Sequence, residues 1–408
     1  MDATPAHPRA GDPGRGLRWF LAGIWLGAVA VITLSPGPPP RPWTEEIPTL
    51  CLFCGGRGAA DAILNVVLFL PLGVLLGHWR GVAAAVLGGA LASGAIETTQ
   101  FFLPGRNPAM GDIVWNATGA AVGALAGMGL RRWLWKEPPR VAKVLAVALP
   151  ALYLGLAGWM AHPAGTESRY YGQWTADLGF MDHYRGELLA AEIDGVPVPS
   201  GPYGLDDPVP DVEREFRLEA TVVKGPAPRR IAPVVSVYDG TQQEILVLGA
   251  QGDDLIWRLR DRAKALGFDF REVRVPGALG SVSVGDTVEI RASRVGGSLC
   301  LGVAETSWCD LGFAPSRTWS YLMNLEGASP AFRALLDTAW MATLFFLVGL
   351  LGGSTRSTAV LGLASVGVVV VAVAFTPLVA GGVLQWVGLG TGVAVGIVAR
   401  PLIRRLLG

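Results

Sequence analysis

Seven polar side chains sit inside or beside long apolar runs of a 408-residue chain: Asp61, Asn65, Glu97, Gln100, Arg106, Asp112 and Asn116. A carboxylate within an apolar run is costly unless paired or protonated, so Glu97 is a functional candidate by default. Ser93, Glu97 and Gln100, spaced by four and three, share one helical face. Arg106, nine residues beyond Glu97, is its nearest cation. It could form an ion pair that pins adjacent helices, or clamp a phosphate. The amides of Asn65, Gln100 and Asn116 could bind sugar or peptide groups. Glu97 and Asp112 could also work as acid and base, with Arg106 stabilising a developing negative charge. The pattern Asp-x-x-x-Asn occurs twice, at 61–65 and 112–116, and each Asp stands where a helix would begin. Capping of free backbone N–H groups there is the plain structural reading.

The elements that must position these groups are membrane helices. Apolar stretches occur at about 17–34, 62–79, 82–103, 112–130, 141–160, 333–352, 358–376 and 382–399. At about 1.5 Å per residue each reaches across a hydrocarbon core of about 30 Å, so about eight transmembrane helices are expected. The cations Arg9, Arg15, Arg18, Arg80, Arg131, Arg132, Lys136, Arg140, Lys143, Arg356, Arg400, Arg404 and Arg405 all fall on one side of such a topology. By the positive-inside rule that side is the cytoplasm, which holds both termini. Residues 161–330 then lie outside. The first span has a signal-peptide alternative, with small residues at Ala28-Val29-Ala30, but its apolar run continues to Leu34 as an anchor's would. Spans two, three and four bring Asp61, Asn65, Glu97, Gln100, Arg106, Asp112 and Asn116 together near the outer leaflet.

The zero net charge of 33 bases against 33 acids is an average of two regions. Residues 161–330 carry 24 acids and 16 bases, leaving a basic remainder. With 51% hydrophobic residues and a mean hydropathy of +0.42, a disordered chain, a nucleic-acid binder and a single soluble domain are excluded. From about 187 to 323 apolar and polar residues alternate, as in 215–222 and 287–292, and Leu255, Trp257 and Leu259 alternate with Arg258 and Arg260. These are strands with one buried face. Turn signals at Lys224-Gly225-Pro226, Tyr238-Asp239-Gly240, Gly252-Asp253, Gly285-Asp286 and Gly296-Gly297 separate them. An all-β sandwich is the natural closure, and the strand order resembles the concanavalin A-like or laminin-G-like jelly roll. That resemblance implies a surface glycan or another external ligand; a purely spacing domain is the alternative. Asp239, Asp253 and Asp254 are read as turn caps, with no metal. Cys300 and Cys309 are expected to bridge a hairpin in an oxidising compartment. Cys51 and Cys54 read as a local disulfide, a redox or zinc pair lacking its usual context.

The segments Asn65-x-x-Leu68-Phe69-x-Pro71-Leu72-Gly73, Ile96-Glu97-x-x-Gln100, Arg106 and Asp112-Ile113-x-x-Asn116-x-x-Gly119 resemble the VanZ-like family of bacterial membrane proteins. That family is named for accessory resistance to the glycopeptide antibiotic teicoplanin. The resemblance implies a bacterial cytoplasmic membrane location and makes Glu97, Gln100, Arg106, Asp112 and Asn116 signature polar residues. This chain adds a fifth span, an outer β domain and three further spans to the short family form. The expected division is a cytoplasmic tail at 1–16, a VanZ-like four-helix domain at 17–136, a fifth helix at 137–160, a β-sandwich at 161–330 and three helices at 331–408. Glycines every four residues, Gly119, Gly123 and Gly127, then Gly388, Gly392 and Gly396, favour close helix packing in a compact bundle or a homo-oligomer. No Walker A loop, Gly-x-Ser-x-Gly elbow or His-Glu-x-x-His motif is present, and the four histidines are scattered. No cofactor is expected. The function read from this pattern is engagement of a membrane lipid or lipid-linked cell-wall component through Asn65, Glu97, Gln100, Arg106, Asp112 and Asn116. The alternative is a membrane-embedded enzyme with Glu97, Asp112 and Arg106 in its site.

Overall fold

A computed structural model describes residues 15–36, 50–135, 137–164, 170–177, 181–203, 213–240, 243–295, 298–323, 325 and 328–407. The chain divides into two compact units. The first comprises Met1–Val144, Leu347–Thr358 and Ala394–Gly408, the second Leu145–Phe346 and Ala359–Val393. The helices are α1 (Arg15–Leu34), α2 (Gly58–Gln100), α3 (Met110–Trp135), α4 (Arg140–Met160), the short α5 (Arg262–Ala265), α6 (Pro330–Leu351), α7 (Thr355–Phe375) and α8 (Val383–Leu407). Seven helical stretches are long and apolar enough to cross a membrane, two of them in α2, and α1 contributes the shorter apolar stretch Phe20–Leu34. This is a polytopic membrane protein. Arg9 and the Gly296-Gly297 turn lie outside the described residues.

Spans two and three are the two arms of α2. Gly81, with φ +83°, breaks them where an L side chain would be strained. A Cβ on Gly88 would lie 2.6 Å from Leu76, so the second arm folds back on the first. The glycines of α3 serve the same hairpin: Gly119 and Gly123 face the backbone of Val66 and Leu70, and Gly127 faces Val74. On α8, Gly388 and Gly392 face Thr338 and Ala342 of α6. Both stripes therefore pack helices of this one chain, at a separation only glycine allows.

The second unit contains two antiparallel six-stranded sheets. One runs β4 (Gly201–Pro202), β1 (Tyr170–Trp174), β6 (Ala232–Asp239), β7 (Glu244–Gln251), β8 (Asp254–Leu259), β9 (Glu272–Val275). The other runs β12 (Thr306–Leu311), β11 (Ser298–Val303), β10 (Thr287–Val295), β5 (Phe216–Val223), β2 (Glu187–Ile193), β3 (Val196–Pro197). Leu218, Ala220, Val222, Ile290 and Ala292 of one sheet and Val235, Leu246, Leu248 and Trp257 of the other share one buried core, making a β-sandwich. The alternation on β5 and β10 is as expected. On β8 it is not, because Arg258 is as buried as its apolar neighbours. Phe270 lies under its guanidinium and Glu272 pairs with it at 3.5 Å, so this sheet's second face is covered too. Cys300 on β11 bridges Cys309 on β12, and Cys51 bridges Cys54. Disulfides of this kind mark an extracytoplasmic domain. The sandwich joins its own unit's helices at one end, where Pro163, just beyond α4, pairs with Asp261 and the Tyr321 hydroxyl reaches the Ala157 carbonyl at 3.4 Å.

Candidate functional site

The polar residues of α1, α2 and α3 form three sets of contacts within the first unit. The last turn of α1 leaves carbonyls without helical donors. Gln100 Nε2 donates to Thr33 O at 2.8 Å, while Arg106 donates from Nε to Ser35 O (2.7 Å) and from Nη2 to Ile32 O (2.8 Å). Farther along, Trp25 Nε1 donates to Leu68 O, and the Trp25 ring meets Phe69 edge-on at 5.5 Å. The second set joins α2 to α3. Asn65 Nδ2 donates to Asp112 Oδ1 at 2.7 Å, and Asn116 Nδ2 donates to Ser93 Oγ at 2.8 Å. The repeated Asp-x-x-x-Asn pattern thus works crosswise, an amide of one copy holding the carboxylate of the other. Asn116 Oδ1 is buried without a hydrogen bond.

Glu97 makes the third set. Its Oε2 accepts the Ala109 amide at 2.9 Å, pinning the loop that leads into α3. No ion pair joins Glu97 to Arg106. That expected pairing is corrected for a geometric reason: the fold brings the end of α1 to Arg106, and its carbonyls, whose partial negative charge substitutes for a carboxylate, take the guanidinium. Glu97 lines an open groove of about 440 Å³ with Gly94, Phe101, Phe102, Met110 and Ile113. Phe101 and Phe102 are 72% and 79% exposed on its rim. Of the six ligand candidates from sequence, Glu97 is the one that lines this groove, and its Oε1 makes no hydrogen bond among the described residues.

Residues 26–131 match the family model VanZ/LLP1. The chain carries a VanZ-like membrane domain. Comparison with curated proteins and with solved structures gave no match. In the VanZ-like domain the structure brings Asn65 to Asp112 and Asn116 to Ser93, and it sends Gln100 and Arg106 to α1. Asp61 stands in the first turn of α2 and Asp112 in the first turn of α3, where carboxylates meet the positive helix end. The groove's apolar wall was missed in sequence because Phe101-Phe102 reads as the end of a span. Its signal was the aromatic pair next to Pro104-Gly105, which forces the chain out of the helix.

The Cys51–Cys54 loop buttresses the same region. Leu52 O accepts Trp115 Nε1 at 2.8 Å, the Phe53 and Trp115 rings are 5.2 Å apart, and a Cβ on Gly111 would lie 2.7 Å from Cys51 O. In the β-sandwich the acids Asp239, Asp253 and Asp254 face Arg260, Lys224 and Arg274 at 2.7–2.9 Å. No group of three or more His, Cys, Asp or Glu among the described residues is arranged to hold a metal ion.

Proposed function

We propose that the VanZ-like domain holds an amphiphile at the outer leaflet, its polar head on Glu97 and its apolar body along Phe101, Phe102, Met110 and Ile113. What supports this is the carboxylate itself: one oxygen is tied to the Ala109 amide, the other makes no hydrogen bond among the described residues, and Glu97 belongs to the wall of an apolar groove. Such a site selects a head that donates hydrogen bonds, as the hydroxyl and amide groups of a lipid-linked cell-wall component do. In this reading Asn65, Gln100, Arg106, Asp112 and Asn116 hold the walls in register, directly or through α1. The protein works in the bacterial cell envelope with both termini in the cytoplasm. Its β domain engages a surface glycan or a partner outside, and the whole contributes to glycopeptide tolerance.

The test uses the full-length protein purified in native-like lipid. Gly94 lines the groove and has open space where a side chain would project, so Gly94→Leu fills the groove without meeting backbone. Native mass spectrometry should show copurified amphiphile falling at least about tenfold in Gly94→Leu and in Glu97→Ala. Equal occupancy in wild type and both variants overturns the proposal. The enzyme reading draws support from the closeness in sequence of Ala109, which holds Glu97, and Asp112. There, Glu97→Gln keeps the ligand and abolishes turnover.

A further inference from the structure

We propose that the cleft at the end of the β-sandwich farthest from α4 binds a hydroxyl-bearing phosphodiester, with Arg185 and Arg229 clamping the phosphate and Asp182 accepting a neighbouring hydroxyl. The cleft has a volume of about 370 Å³ and is lined by Asp182, His183, Arg185, Pro226, Pro228 and Arg229. Its location follows from β7. Ile245, at one end of that strand, accepts the Arg260 amide beside the Pro163–Asp261 pairing that follows α4, whereas Gly252, beyond the other end, donates to Pro228 O at 2.7 Å.

The walls are built rather than incidental. Residues 182–186 and 224–230 approach at Gly186 and Gly225, where a Cβ on Gly225 would lie 2.6 Å from the Arg185 backbone and one on Gly186 2.6 Å from the Gly225 nitrogen. The Tyr184 hydroxyl donates to Val223 O at 3.2 Å and accepts the Gly225 amide at 3.4 Å, and burial pushes its ionisation upward, so it stays a neutral brace. Asp182 Oδ2 accepts the Arg230 amide at 2.7 Å, which ties the two loops again and leaves Oδ1, on a residue that lines the cleft, without a hydrogen bond among the described residues. Pro226 and Pro228 stiffen the segment that carries Arg229.

Charge decides the ligand class. The sandwich is acidic, and the cations on its other large groove are neutralised, Arg217 by Glu219 at 3.5 Å and Arg291 by Glu289 at 3.2 Å. Arg185 and Arg229 have no ion pair or side-chain hydrogen bond among the described residues. Two guanidinium forks in one cleft match the oxygens of a phosphate. The Asp182 carboxylate in the same cleft disfavours a bare anion and favours one with a hydroxyl donor alongside. A free phosphate fills little of the volume, so a polyol phosphate chain is assigned.

The assignment deepens the proposed engagement of an envelope glycan by the β domain. Full-length protein in neutral phosphatidylcholine nanodiscs would be titrated with a glycerol phosphate oligomer, inorganic phosphate, polyphosphate, polyglutamate and a neutral glucan. Binding of the oligomer should weaken at least about tenfold in Arg185→Gln/Arg229→Gln, and Arg217→Gln, on the other groove, should leave it unchanged. Thermal unfolding of the double variant should match wild type, because both arginines are exposed. Asp182→Asn keeps the tie to Arg230 and should erase the preference for the oligomer over polyphosphate. Equal binding by the double variant, equal binding of polyglutamate, or inorganic phosphate binding as tightly as the oligomer each overturns the assignment. Retained binding of the glucan alone overturns it while leaving the wider glycan reading standing.

Discussion

Lys224 sets its ammonium among one carboxylate and two backbone carbonyls of the β-sandwich. Its side chain is 9% exposed, and Nζ donates to Asp253 Oδ1 (2.9 Å), Leu279 O (2.7 Å) and Val282 O (2.8 Å). Lys224→Met keeps the aliphatic stem and removes the ammonium. Val282 O then loses its donor, at about 1–3 kcal/mol, whereas Leu279 O keeps the Val282 amide at 3.1 Å and loses one of two bonds, at about 0.5–1.5 kcal/mol. Asp253 is half exposed and rehydrates, so its lost Coulomb attraction is small. The expected destabilisation is about 1.5–4.5 kcal/mol, which lowers Tm by about 3–18 °C for a unit of this size. Thermal unfolding of the full-length protein in nanodiscs, followed through the buried Trp257, measures it. Lys224→Ala adds a second reading, because it opens space among one carboxylate and two carbonyl oxygens. Calcium takes 6–8 oxygens and can complete its shell with water, so millimolar Ca²⁺ should recover part of the loss in Lys224→Ala and do nothing to wild type. A Tm within about 1 °C of wild type for Lys224→Met, or a wild-type response to Ca²⁺, refutes the reasoning.

Asp261 is fully buried, its Oδ1 accepts the Lys264 amide, and Arg271 Nε lies 3.8 Å from Oδ2. Burial pushes its carboxyl up to about 6 against the partial opposition of Arg271. A carboxyl raised in the folded state favours folding when protonated, so its contribution is full below about pH 4 and is lost as pH rises to about 6. Asp261→Asn should flatten the Tm profile across that window, and an unchanged slope refutes the assignment. In the membrane, Asn65→Leu removes the 2.7 Å bond to Asp112 and should cost about 0.5–2 kcal/mol in unfolding from micelles. No measurable change would show that the amide does not hold α2 to α3.

What could be seen in the sequence depended on whether one residue's environment was local. Hydropathy located the spans because lipid surrounds most of each helix, and alternation located β5 and β10 because each keeps one polar face. Alternation misled at β8, where Phe270 and Glu272 cover Arg258 from positions 12 and 14 residues downstream. Residue types in the candidate site were equally visible, but their partners were not. Arg106 stands nine residues from Glu97 yet bonds to carbonyls 71 and 74 residues away. The Asp-x-x-x-Asn repeat suggested two separate helix caps, and only the fold reveals Asn65 on Asp112, 47 residues apart. The Arg185–Arg229 cleft left no local pattern, because it is assembled where two glycines let distant loops touch.

Arg400 sharpens the interpretation of the VanZ-like site. It donates from Nε, Nη1 and Nη2 to the carbonyls of Leu350, Gly353 and Gly349 at 2.7–2.9 Å, closing the C-terminus of α6 as Arg106 closes that of α1. The chain therefore twice satisfies a membrane-boundary arginine with helix carbonyls, where the dipole supplies the negative charge. An arginine held this way needs no anion, so its presence in an apolar region is not evidence for an anionic ligand. The same test separates Glu97 from its neighbours. Asp112 has the Asn65 amide and the start of α3, whereas Glu97 has one amide on one oxygen and an open groove beside the other. Of the charged groups that made this region conspicuous, Glu97 is the one that lines an apolar groove, with one oxygen tied to Ala109 and the other without a hydrogen bond among the described residues.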